Sequence, residues 1–296
     1  MTMIKTEDLI ATTNTTKDIL GHLFWFSIGK QMNKVDDLKL KLINSGLGEE
    51  WMPNRIRSVD AFRRATKEVQ TKKPTTNAKV FKNFLIREVY SDNKFVQRNI
   101  VVETVDQNDK KLGYDTQTGV MKLDKKNGTI LFDLTDSNVA ELCKEAERRF
   151  FLYRDHYSSQ HIRVMITKIL NSLAPTPMRE KGVIYFIPNT RTTGLTNLVT
   201  FIQQLENSDA FKVPVIDSND NRDMVCKKLT DHLQNLLKQC QSSEYLRKDQ
   251  IKKLVEDTNN AIKDFKEYRN LITTETEDFE DQILLLRSEV LKIIQE

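Results

Sequence analysis

The sequence predicts an α+β protein: a central antiparallel sheet flanked by helices, followed by long C-terminal helices that form a helical hairpin or coiled coil. Three observations predict it. Between Val80 and Leu134 the hydrophobic residues alternate and are punctuated by turn residues, the pattern of half-buried strands. On both sides of that stretch apolar residues recur at helical spacing. From Arg222 to Glu296 there is neither proline nor glycine, so the segment reads as uninterrupted helix.

The first helix is expected after Asn14-Thr15-Thr16-Lys17-Asp18, a capping run, with Ile19, Leu20, Leu23, Phe24 and Ile28 on its apolar side. Leu38, Leu40, Leu42 and Ile43 suggest a second short helix. Gly46-Leu47-Gly48 and Trp51-Met52-Pro53 then break the chain. Ser58 and Asp60 offer N-caps for a helix over Ala61 to Glu68, and Pro74-Thr75-Thr76-Asn77 closes it. Four strands follow, near 80–89, 100–105, 113–121 and 129–134. They are separated by Ser91-Asp92-Asn93, Gln107-Asn108-Asp109 and Lys125-Lys126-Asn127-Gly128, which makes an antiparallel meander.

Asp136-Ser137-Asn138 caps the next helix, which carries Val139, Leu142, Cys143, Ala146 and Phe150 inward. Another covers about His161 to Leu173. Gly182 to Pro188 and Phe211 to Ile216 read as short strands, with a helix from Thr192 to Leu205 between them. In the C-terminal segment Ile251, Leu254, Thr258, Ala261, Phe265, Tyr268 and Ile272 alternate spacings of three and four, a narrow apolar seam that must be covered. The cover is either the preceding helix folded back or a second copy of the chain. The expected domains are 1–78, a helical segment with a basic cluster; 79–221, the α+β core; and 222–296, an assembly module.

Composition narrows the function classes. With 296 residues, 39% of them hydrophobic, the chain can hold one large or two modest cores. Nine glycines, six prolines and 30% charged residues point to a helix-rich protein without flexible linkers. No apolar run approaches the roughly 18 residues of a membrane helix. The N-terminus has acids where a signal peptide would be basic, so the expectation is a cytoplasmic protein with no membrane contact. Cys143, Cys226 and Cys240 are widely spaced and odd in number, which suits free thiols.

Charge is unevenly distributed. Arg55 to Arg87 holds ten basic residues, and its acids are Asp60 and Glu68. Arg55, Arg57, Arg63, Arg64, Lys72 and Lys73 are the candidate nucleic-acid contacts, because lysine and arginine that neutralise phosphates bind without a sequence code. Trp51, Phe62, Phe81 and Phe84 lie beside them. A solvated helix face with core aromatics explains the same residues without nucleic acid.

Catalytic signatures are missing. The four histidines have no metal-ligand spacing and no cysteine pair supplies a zinc half-site, so neither metal nor other cofactor is expected. Asp109-Lys110-Lys111 and Asp124-Lys125-Lys126 match half of a nuclease motif but fall at turns. There is no G-x-x-x-x-G-K-[ST], no G-x-G-x-x-G and no G-x-S-x-G. The chain is therefore expected not to be an enzyme.

Several segments together resemble a poorly characterised family found in phages and other bacterial mobile elements. They are Pro53 with Asp60-Ala61-Phe62-Arg63-Arg64-Ala65, Arg98 to Glu103, Leu112-Gly113-Tyr114, Arg163, and Arg179 through Pro188. The resemblance covers about residues 50–240. It implies a phage, prophage or plasmid origin and a bacterial cytoplasmic setting, and it assigns no reaction. The expected function is that of a non-enzymatic protein that self-associates through Ile251, Leu254, Ala261, Phe265, Tyr268 and Ile272. It would bind a host or viral protein, inhibition of a host defence complex being one form. The alternative is a nucleic-acid-binding protein of phage or plasmid DNA metabolism.

Overall fold

The computed structural model describes residues 19–77, 79–136, 139–179, 183–268 and 276–295. It has a mixed α/β architecture whose contacts divide into two units, each with its own apolar core. The first gathers the residues up to Gln31, then Leu38–Met52, then those from Ser159 onward; the second holds Met32–Asp37 and Pro53–Ser158. The division interleaves the chain where three consecutive domains were expected.

The second unit is built on the meander. Strands β3 (Thr71–Pro74), β4 (Val80–Ser91), β5 (Phe95–Asp106), β6 (Lys111–Asp124) and β7 (Thr129–Leu134) pair antiparallel in sequential order. (β1 and β2, which precede them, are Ile19–Ile28 and Met32–Lys34.) Aspartates fix the turns. Asp92 accepts the backbone N–H groups of Lys94 and Phe95, Asp106 those of Asn108 and Lys110, and Asp124 those of Lys126 and Asn127. Gly128 closes the last turn at φ 64°, where a side chain would be strained. The two acid-lysine-lysine runs are thus turn chemistry. β3 is a fifth strand, absent from the expected four: Thr71-Lys72-Lys73-Pro74 has no apolar alternation, and its proline suits an edge.

One face of this sheet carries Phe84, Ile86, Val96, Ile100, Met121 and Leu123 into a core closed by helices α2 (Ser58–Glu68) and α3 (Ala140–Asp155). (α1 is Val35–Asn44.) Phe62 of α2 and Phe150 of α3 meet edge to face at 6.3 Å, both fully buried. Arg57, not Ser58 or Asp60, is the capping residue of α2, and its guanidinium pairs with Asp60. β2 and β8 (His156–Ser158) form a short antiparallel ribbon in the same unit.

The first unit has a four-stranded antiparallel sheet in the order β11-β1-β10-β9, with β9 at Thr176–Pro177, β10 at Tyr185–Pro188 and β11 at Ser208–Ile216. The helix expected over Ile19 to Ile28 is instead the central strand β1. Its apolar residues fit a helical count, but Leu23-Phe24-Trp25-Phe26 is a bulky, β-favouring run, and hydrogen bonding to β10 and β11 on both sides overrides the local periodicity. Gly21 permits the closeness: a Cβ there would lie 2.3 Å from the Ile187 carbonyl oxygen and 2.4 Å from the Phe186 ring. Helices α4 (Ser159–Asn171) and α5 (Thr192–Gln203) bury Ile162, Met165, Ile166, Leu195, Leu198 and Ile202.

The C-terminal segment is three helices rather than one: α6 (Asn219–Gln241), α7 (Lys248–Tyr268) and α8 (Thr276–Gln295). The first break falls at Ser242–Arg247, where Ser243–Tyr245 tightens into a 3-10 turn. At this end the Ser242 hydroxyl and backbone N–H both donate to the Lys238 carbonyl, at 2.9 and 3.2 Å. The expected cap at Asn14 to Asp18, together with Ser137, Asn138, Gly182 and Ile272, lies outside the described residues. Among the described residues no helix is long and apolar enough to cross a membrane.

Candidate functional site

The first unit holds a cleft of about 570 Å³ walled by α4, residues 175–179, Tyr185, α6 and α7. Its position follows from helical geometry. On α7 the seam residues Leu254, Thr258, Phe265 and Tyr268 turn into the core, and the adjacent stripe of Lys253, Asp257, Asn260 and Asp264 faces the cleft. On α6, His232, Asn235, Leu236 and Gln239 repeat at three and four and supply the facing wall. Tyr268, buried at the end of α7, ties the floor together: its hydroxyl donates to the Ala174 carbonyl at 2.6 Å and accepts from the Thr176 hydroxyl at 2.8 Å.

Burial gives this cleft its electrostatics. The Asp264 carboxyl is pushed up to about 6, chiefly by desolvation, against the pull of Lys263 and Arg191. Burial raises Asp257 as well, although Lys253 opposes it. His232 is moved down by burial, so its ring is neutral at pH 7. Tyr185 and Tyr268 are both raised by desolvation. Among the described residues neither Asp257 nor Asp264 has a hydrogen bond or an ion pair within 4 Å. The neighbouring Glu267, by contrast, takes the Arg191 guanidinium at 2.6 Å and the Thr190 hydroxyl at 2.7 Å. The cleft therefore presents two half-buried carboxylates without a hydrogen-bond partner, a neutral imidazole, several side-chain amides and the cations Arg179, Lys228 and Lys253, a lining of mixed donors and acceptors. No group of three or more His, Cys, Asp or Glu side chains able to hold a metal occurs among the described residues.

The candidate nucleic-acid residues all fall in the second unit, and the structure divides them. Arg57 and Arg63 both reach Asp60, at 2.7 and 3.6 Å. Arg64 pairs with Glu68 at 3.0 Å and lies 4.0 Å from the Tyr153 ring centre. Lys72 pairs with Asp109. Arg55 is exposed ahead of α2. Lys73 has no ion-pair partner among the described residues and lines a second groove, of about 850 Å³, on the sheet face. Phe62 is fully buried and Phe84 nearly so, which removes both as stacking platforms.

The seam residues from Leu254 to Tyr268 are covered from within the chain. Leu254, Phe265 and Tyr268 are buried in one core with α6 and α8, Ala261 packs at its margin, and Ile251 is half-buried. A different apolar face stays open on the same helices. α8 buries Phe279, Ile283, Leu286 and Val290 but exposes Leu284, Leu285, Leu291 and Ile294, each by more than half. Sequence periodicity could have found this second stripe, since Leu284 and Leu291 are one heptad apart. The cleft had no such signal: Asp257 and Asp264 read locally as a solvated helix face, and only the tertiary fold brings residues 175–179 over them.

The fold and these sites define a two-unit mixed α/β protein with a polar cleft. Residues 19–296 match DUF6744, a family of unknown function, and the chain belongs to that family. No curated protein and no solved structure matches it.

Proposed function

We propose that this protein is a non-enzymatic binding protein of phage or other mobile-element origin that self-associates and engages a host or viral macromolecule. Inhibition of a host defence complex is one concrete form of that role. The observation that carries the reading is the outer face of α8. Four large aliphatic side chains, Leu284, Leu285, Leu291 and Ile294, stand in solvent on one helix, and three of them, Leu284, Leu291 and Ile294, follow one stripe at spacings of seven and three. Assembly through α8 is favoured over the α7 seam because Leu254, Phe265 and Tyr268 are already buried within the chain. The mobile-element origin rests on the motif resemblance from Pro53 to Pro188.

Gel filtration with light scattering on the full chain tests the assembly. The wild type should run as an oligomer, and Leu284→Glu with Leu291→Glu should return it to a monomer with an unchanged circular dichroism spectrum. A monomeric wild type at all accessible concentrations sinks the reading.

A specific observation also favours nucleic-acid binding. Lys73 and Lys82 are register partners on β3 and β4 and share a face of the sheet, with no acid paired to either among the described residues.

A further inference from the structure

The groove of the second unit has features that the fold itself does not need. Lys73 and Lys82 stand directly opposite each other, which puts their Cβ atoms about 5 Å apart and costs folding energy unless an anion lies between the ammonium groups. Neither has an ion-pair partner among the described residues; Lys73 has only the Phe84 ring, 5.7 Å away. Neighbouring Lys72, on the opposite face of β3, is neutralised by Asp109.

The groove wall holds a second such feature. Where Ile100 pairs with Gly119 and Val102 with Asp115, residues 116–118 of β6 stand opposite Val101 alone, a bulge that interrupts the ladder. Thr118 at its end is only 3% exposed, lines the groove, and its Oγ1 has no hydrogen-bond partner. A buried hydroxyl without a partner is costly, and few survive in folded proteins without a reason. The backbone carbonyl of Thr118 is already used by the N–H groups of Thr135 and Asp136.

The groove's lining is mostly polar, with Pro74, Phe84 and Val102 as its apolar part. Lys73 and Lys82 mark the β3–β4 side, and Asp115 and Asp136, both engaged within the fold, mark the β6 side. Two strand spacings separate β4 from β6, about 10 Å. That separation matches a nucleotide laid across the sheet, with its phosphate at the lysines and its base N–H donors toward the carboxylates. Thr104 on β5 falls between, and Thr118 stands on the β6 side, toward the sugar hydroxyls.

We infer that this groove is a nucleotide-binding site in which Lys73 and Lys82 hold the phosphate and Thr118 donates to the sugar. The inference rests on the nucleic-acid reading, not on assembly through α8. It also moves the contacts away from Arg57, Arg63 and Arg64, whose guanidinium groups face acids of their own helix.

The test is binding by the full-length protein of two probes, a fluorescein-labelled single-stranded oligonucleotide and adenosine monophosphate, by anisotropy and calorimetry at low salt. Lys73→Ala with Lys82→Ala should weaken binding roughly tenfold or more, whereas Arg63→Ala with Arg64→Ala should change it less than twofold. Thr118→Val should raise the unfolding temperature of the free protein and still weaken binding, a combination that a purely structural threonine cannot give. Binding of the monophosphate alone identifies a free nucleotide as the ligand; binding of the oligonucleotide alone identifies a nucleic acid. If the oligonucleotide binds and only the arginine pair matters, this inference fails and the nucleic-acid reading stands. If neither probe binds, both fall.

Discussion

The hydroxyl of Tyr268 donates to the carbonyl oxygen of Ala174 at 2.6 Å, joining the end of α7 to a residue that holds φ at 53°. A non-glycine residue in that region needs neighbours that hold it there. Tyr268 is one, because the same oxygen also accepts the Thr176 hydroxyl. One fully buried side chain thus fixes both the strained corner before β9 and the base of the cleft.

Tyr268→Phe keeps the ring and removes the oxygen, leaving the Ala174 carbonyl and the Thr176 hydroxyl unpaired. The expected loss is about 1–3 kcal/mol, read as a lower urea midpoint with an unchanged slope. An unchanged midpoint would show that water replaces the phenol.

Asp264 should make stability depend on pH. Its folded value, about 6, stands above the ordinary 3.8, so the folded state holds the proton more tightly than the unfolded chain. The resulting stabilisation is fully present below 3.8 and is lost as pH rises through about 6. Asp264→Asn should flatten that slope and gain on the order of 1–2 kcal/mol above neutrality. Denaturation curves at about pH 5 and about pH 8 decide it, and a parallel loss in the variant at both would contradict it.

Strands and turns of the meander are legible because their signals are local: each turn carries an aspartate that binds the backbone two to four residues on. β1 is not, because what makes Ile19 to Ile28 a strand is the pair of neighbours that arrive more than 150 residues later. β3 is hidden for the opposite reason, since Lys72 and Lys73 lack any apolar alternation. Among the groove lysines, Lys73 stands out in the sequence as part of the basic cluster, whereas its pairing with Lys82 becomes visible only through the register of β3 on β4.

Gly21→Ala should be severely destabilising. The added Cβ meets a backbone carbonyl of β10, which cannot swing aside as a flexible side chain would. The expected cost is about 3 kcal/mol or more, measurable as a fall in melting temperature. A tolerated alanine would mean that β1 and β10 can separate without loss.

Arg98 and Glu88 give an ordered pair of outcomes. The Arg98 guanidinium is buried, donates to the Thr66 hydroxyl at 2.6 Å and to Glu88 at 2.7 Å, and leaves its Nε unpartnered. Glu88→Gln strips the counter-charge from a buried cation and should cost about 1–3 kcal/mol, moderated because Glu88 is partly exposed. Arg98→Met removes the charge itself and should cost less. The reverse order in thermal unfolding would show that Thr66, not Glu88, is the anchor.

The interleaving of the two units sets a timetable for synthesis. When the ribosome has made residue 158, every strand and helix of the meander unit exists and can close on itself. β1, although translated first, must wait unpaired until β10 and β11 emerge. Its Leu23-Phe24-Trp25-Phe26 run is therefore a sticky, unsatisfied strand for most of the protein's birth. A chaperone that shields this early segment would govern yield in the cell more than any contact in the finished molecule.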